Sequence, residues 1–182
     1  MTAVEEVERR LLRVAALLDA AGVPYAVIGG NAVAAWVATV DKGATRPTKD
    51  VDILLRRDDL PLARQALEPA GFIYAETMDV PMFIDGPTGG ARDAVHILYA
   101  DEKVRKDDVA PSVGLKDSQR GSEFQVLTVE ALVRMKLISN RDKDRMHLRD
   151  LMGVGLFDAS WPARFPPELA ARLQHVLDTP NG

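Results

Sequence analysis

The ten residues from Arg46 to Leu55, RPTKDVDILL, limit the fold of this chain more than any other stretch. Val51, Ile53 and Leu55 alternate with Asp50, Asp52 and Leu54, which is the period of a β-strand with two distinct faces. Both acids then project from one face of a strand that is otherwise apolar. Carboxylates are costly to bury without compensation. Either the strand ends at water with the two acids on its rim, or it holds them together over a cation. Side chains two apart on a strand lie about 6 to 7 Å apart along it, near enough for their oxygens to converge on one or two hard cations. The plainer alternative is an aspartate capping a backbone amide at a strand edge, with Arg46 or Lys49 neutralising the pair.

What precedes the acidic strand narrows the choice. Val4, Val7, Leu11, Val14 and Leu18 recur at spacings of three and four, which predicts one helical face, and Gly22 supplies a stop. VPYAVIGG then reads as a short strand from Val23 to Ile28 closed by Gly29 and Gly30, and NAVAAWVATV as a helix. Glycines at this place either make a turn or let a backbone with free helix N-terminal amides approach a phosphate.

A glycine pair, a helix, a loop and then RPTKDVDILL, in that order, resembles the nucleotidyltransferase superfamily that includes DNA polymerase β, and especially its minimal and AbiE-type members. The resemblance implies that Gly29 and Gly30, with Asn31, face a nucleoside triphosphate (NTP), that Asp50 and Asp52 bind Mg²⁺, and that Thr48 and Arg46 support the loop or the phosphates. It extends into Glu123–Leu156, where Lys136, Arg141, Lys143, Asp144 and Asp150 stand at positions resembling a basic and acidic cluster of bacterial members. On one continuous helix, Lys136, Asn140, Lys143 and His147 would share a stripe, and its lysines would meet a triphosphate. The alternative for the RDKDR run is a solvated face of ion pairs, expected for Arg145 and Arg149. Lys136 interrupts the apolar ALVRMKLI and calls for either an anionic ligand or a path to water. The implied reaction is transfer of a nucleoside monophosphate to a hydroxyl of a protein, a tRNA end or a small molecule. The implied setting is toxin-antitoxin or phage defence, with a cognate toxin or antitoxin as partner.

One position departs from the family pattern. A third carboxylate usually stands on the neighbouring strand in a run of the form VDI or VDL, whereas this chain has AVHILYA, with His96 at that place. Imidazole is a poor ligand for Mg²⁺, Mn²⁺ accepts it better, and histidine is able to act as a general base. His96 is therefore a candidate catalytic residue beside Asp50 and Asp52, a core histidine satisfied by a hydrogen bond, or the mark of a protein that keeps the fold and binds without catalysis. Asp93 is three residues earlier, an odd offset that points it to the opposite face of a regular strand.

The remaining chain supports a single compact α/β (α+β) unit. RDDLPLARQALEPAGF predicts a helix with Leu60, Ala63, Leu67 and Ala70 inward, and FIYAE, PMFID and DAVHILYA predict strands. Phe72, Tyr74, Met78, Met82 and Phe83 are expected in the core rather than in a base-stacking platform. His147 and His175 are expected to be surface or structural. Trp161 is expected to anchor a last helix starting near Pro166 or Pro167. The expected architecture is a mixed sheet flanked by helices, with residues 1–127 as the core and 128–182 as a helical region packed on it. A formal net charge of −4 over 182 residues argues against a general duplex-binding surface. The absence of cysteine excludes disulfides and thiolate chemistry, and fits a cytoplasmic setting. No run approaches the ~18 to 20 apolar residues of a membrane span.

Overall fold

A computed structural model describes residues 2–90 and 94–182; Asp93, weighed above as a possible acid, lies outside them. Helix α1 (Ala3–Ala20) begins at Thr2, whose hydroxyl accepts from the Glu5 amide while the Glu5 carboxylate accepts from the Thr2 amide. This reciprocal cap satisfies two amides that a helix start leaves free. Val7, Leu11, Val14 and Leu18 face the core as their spacing predicts, but Val4, in the first turn, is exposed. Arg13 Nη1 donates to Asp85 Oδ1 at 2.8 Å and Arg10 Nε meets Asp85 Oδ2 at 3.4 Å, which ties α1 to the far end of a sheet strand.

Seven strands form one sheet: β1 (Ala26–Ile28), β2 (Val51–Leu55), β3 (Phe72–Thr77), β4 (Val80–Asp85), β5 (Ala94–Tyr99), β6 (Ser118–Arg120) and β7 (Gln125–Leu127). Their order is β3-β4-β5-β2-β1-β7-β6. The β2/β5 and β1/β7 pairs are parallel and the others antiparallel, so the sheet is mixed. The first strand is shorter than the run from Val23 predicts, since Pro24 has no amide to give a ladder, although Val23 and Tyr25 remain buried. At the β3–β4 hairpin, Met78 and Asp79 both adopt positive φ, 51° and 61°. That turn places Met78 at the tip, 93% exposed, contrary to its expected core position. Phe72, Met82 and Phe83 are buried as expected.

Helices α2 (Gly29–Ala38) and α3 (Leu60–Leu67) connect the early strands, and α4 (Val129–Ser139), α5 (Asp142–Gly153) and α6 (Pro167–Asp178) follow the last one. Ala63 and Leu67 of α3 are buried, whereas Ala70 falls in a half-exposed turn beyond the helix end. Trp36 Nε1 donates to the Leu127 carbonyl at 2.8 Å, pinning α2 against β7. The condition of one continuous helix through Lys136 and His147 is not met, since α4 and α5 are separate helices. Asn140 separates them with a left-handed φ of 49°, a conformation asparagine tolerates better than most residues. Trp161 packs at 5.6 Å from the Phe157 ring just before α6, in keeping with its predicted anchoring place. Among the described residues no helix is long and apolar enough to cross a membrane.

Candidate functional site

Strand register brings the acidic residues and the glycine turn together. Asp52 pairs across with Ile28 of β1 on one side and with His96 of β5 on the other. The chain leaves β1 directly into α2, so Gly29 sits at the end of one strand and beside the start of the next. Gly29 has a φ of +68°, and a Cβ there would collide with the Asp52 carboxylate. A Cβ on Gly30 would come within 2.7 Å of Thr48 Oγ1. Position 29 is held to glycine by its backbone conformation and by the Asp52 carboxylate, and a side chain at position 30 would require Thr48 to move. The residue before α2, Ile28, offers no side-chain cap to the helix start.

These groups open on a cavity of about 270 Å³. Gly29, Gly30, Asp52, His96, Lys136 and Lys143, six of the residues selected from the sequence, line it. Burial pushes the Asp52 carboxyl up from its usual range; His96 works against this, Asp50 adds to it, and Lys136 and Lys143 oppose it. His96 Nδ1 stands 3.8 Å from Asp52 Oδ1, beyond hydrogen-bond reach. Asp50 falls just before β2 rather than within it, and its Oδ2 accepts from Lys143 Nζ at 3.1 Å.

The basic wall is built on the α4–α5 joint. Lys136 neither reaches water nor stands alone: it is 6% exposed, and its Nζ donates to Asp144 Oδ1 at 3.2 Å. Asp144 is buried at the start of α5 and also accepts from Arg141 Nε at 2.8 Å and from the Arg141 amide at 3.2 Å. Despite its burial, the Arg141 hydrogen bond and the Lys136 charge hold its carboxyl down at about 2. Burial lowers the Lys136 ammonium, with Asp144 and Asp52 pulling against it. The break at Asn140 leaves two of the four stripe residues, Lys136 and Lys143, on one cavity from two helices, while Asn140 and His147 are not in its lining. Arg145 donates to the Asn140 carbonyl and pairs with Asp142. Arg149 holds Thr179 through its carbonyl and hydroxyl rather than sitting in a solvated ion-pair network.

Three of the selected residues stand elsewhere. Asn31, Arg46 and Thr48 line a second hollow of about 530 Å³ on the α1 side. Asn31 Nδ2 donates to the Asp50 carbonyl at 2.7 Å, fixing the backbone that carries the acid. Arg46 Nε is shared by both oxygens of Asp150 at 2.9 Å. Sequence reasoning missed the holding role of Asp144, and it left His147 as surface or structural. The His147 ring is 5% exposed, lies beside Gly30, and its Nδ1 has no hydrogen-bond partner among the described residues. Burial, then the Lys136 and Lys143 charges, lowers its pKa to about 4, so the ring is neutral. The i to i+11 spacing from Lys136 was its only sequence signal.

The seven-stranded mixed sheet flanked by helices is a nucleotidyltransferase-like fold, as likeness to solved structures shows. No family model and no curated protein matches the chain, but solved structures do. It is similar to an antigenic nucleotidyltransferase-like protein from Paracoccidioides brasiliensis, at TM-score 0.62 and 20% identity, over 96% of this chain and 88% of that one. It is also similar to the antibiotic-resistance factor ANT(2'')-Ia, at TM-score 0.56 and 12% identity over 96% and 91%, and to JHP933 from Helicobacter pylori, at 0.54 and 16% over 100% and 77%. At these identities the likeness establishes the fold.

Proposed function

We propose that the protein binds a nucleoside triphosphate in the cavity under Gly29 and transfers its nucleoside monophosphate to a hydroxyl acceptor. The observation that carries this reading is the convergence of Gly29, Gly30, Asp52, Lys136, Arg141 and Lys143 on one cavity. The amides at the start of α2 and the three cations suit a triphosphate. Lys143, half-exposed on Asp50, is the cation best able to move onto a phosphate. In the reaction the acceptor oxygen bonds to the α-phosphorus, the bond to the β-phosphate bridging oxygen breaks, and pyrophosphate leaves.

Asp50 and Asp52 suit a divalent cation that enters with the nucleotide. No three histidine or acidic side chains among the described residues form a metal cage, and Mg²⁺ is commonly held by one or two carboxylates together with substrate phosphates. The Lys143 ammonium already stands as a cation at one of the two carboxylates. When bound, the ion would neutralise phosphate charge and align the attack. The acceptor class, a cytoplasmic setting and a role beside a cognate toxin or antitoxin rest on the resemblance to minimal and AbiE-type members.

His96 at the register position of the third acid favours a second reading, in which nucleotide or a partner protein is bound without turnover. Incubation of the protein with labelled NTPs and divalent metal, with bulk RNA and protein as acceptors, separates the two. Transfer predicts labelled product that Asp52→Ala abolishes. Retention of NTP without product, with product appearing only in His96→Asp, would establish the second.

A further inference from the structure

We infer that the site selects a transition-metal dication, Mn²⁺ in the first instance, over Mg²⁺, with His96 Nδ1 and Asp52 Oδ1 as two of its ligands. This rests on the reading of the cavity as a triphosphate site and specifies the metal that accompanies the triphosphate. The two atoms stand 3.8 Å apart, on residues held opposite each other by the β2/β5 ladder. That gap is too long for a hydrogen bond. Two ligands each about 2.1 Å from one ion stand roughly 3 to 4.2 Å apart as the angle between them opens from a right angle to a straight line. The observed 3.8 Å corresponds to an angle of about 130° at such an ion, so a modest rotation of either side chain, with the strands left in place, is needed to bring the pair to the right angle of an octahedral site.

The chemistry of the pair also discriminates. Mg²⁺ takes hard oxygen ligands and parts with water reluctantly, whereas imidazole suits the first-row transition metals. A third carboxylate at position 96 would give an all-oxygen set; His96 makes it mixed. Both side chains are about a quarter exposed, at 22% for His96 and 24% for Asp52, and both line the cavity, so an ion reaches them from the nucleotide side. Lys136 and Lys143 stand near Asp52. Their positive charge opposes a bare dication and favours one that enters with an anionic triphosphate.

The test uses the full chain with Mn²⁺ and inorganic triphosphate, which removes dependence on the base. Pulsed electron paramagnetic resonance of bound Mn²⁺ is expected to show nitrogen modulation from an imidazole, and His96→Asp to lose it while still binding Mn²⁺. Competition with Mg²⁺ is expected to show at least a tenfold preference for Mn²⁺ that falls several-fold in His96→Asp. Bound Mn²⁺ with no nitrogen coupling in the natural protein overturns the inference even if the variant does not fold, as does equal displacement by Mg²⁺ in both proteins. Calorimetry of triphosphate alone separates the two levels. Triphosphate binding with no nitrogen-coupled metal defeats this inference and leaves the nucleotide site standing; no triphosphate binding with or without metal defeats the site reading itself.

Discussion

At the scale of single residues, the site is built from groups that tolerate no close substitute. Gly29 combines a positive φ with direct packing on the Asp52 carboxylate. Gly29→Ala is expected to cost at least about 1 to 2 kcal/mol from the left-handed backbone alone, and to displace Asp52. Denaturant unfolding should show the loss, and triphosphate titration should show weakened binding. His147 leads to a pH prediction. Burial, then the charges of Lys136, Lys143 and Arg141, lowers its folded pKa from the ordinary 6.5 to about 4, with Asp144 opposing. Between those values the unfolded chain takes up the proton and the folded one does not. The stability contribution is therefore complete above about pH 6.5 and is lost as pH falls toward 4, by roughly 3 kcal/mol in all. Urea midpoints at pH 7 and pH 5 should differ accordingly, and His147→Gln should flatten the slope.

At the scale of elements, the decisive feature is the joint between α4 and α5. Asp144 binds Lys136 from one helix and Arg141 from the turn, so the basic wall of the cavity depends on one buried carboxylate. Asp144→Asn leaves the Lys136 ammonium buried without its counter-ion, and a loss of roughly 3 to 5 kcal/mol is expected. Thermal unfolding measures it, and hydrogen exchange should show the first turn of α5 losing protection most. The joint also shows where sequence ceased to be enough. Alternation in VDILL and the 3-4 spacing of α1 are local signals, and both elements formed where they predict. The helix break at Asn140 depends on one backbone conformation that a run of polar residues does not announce. The Lys136–Asp144 pair depends on two helices folding back on each other, and Met78 was misplaced because turn geometry, not alternation, set its position. For the site, the resemblance selected the glycine turn, Asp52 and His96, which come together because β1, β2 and β5 are neighbours in register, whereas Lys136 and Lys143 reach the same cavity from α4 and α5. Asn31, Arg46 and Thr48 were not separable from them by spacing, since only the fold directs them to the other side of α2.

At the scale of the whole molecule, the boundary near residue 127 is one of composition of elements, and we propose that it is not a boundary of stability. Sheet and C-terminal helices share one buried cluster: Val27, Ile53 and Leu127 from strands lie in it with Leu132 and Leu137 of α4, Leu148 and Leu151 of α5, and Leu173 and Val176 of α6. Arg172 of α6 donates to the carbonyls of Leu137 and Ile138 at 2.9 and 3.0 Å, satisfying the end of α4. Arg46 reaches α5 at Asp150 from the loop before β2, so the segment that positions Asp50 is itself braced by the helical region. A chain cut after Leu127 keeps all seven strands but exposes the sheet face those leucines cover. At about 25 cal/mol per Å² of apolar surface, uncovering several leucine side chains exceeds the few kcal/mol by which most domains are stable. Residues 1–127 alone are therefore expected to lack a cooperative thermal transition and to show collapsed amide proton dispersion, while the full chain melts in one step. A folded 1–127 fragment with a sharp transition of its own would instead make the helical region a separate domain and move the basic wall of the cavity to an interface between two units.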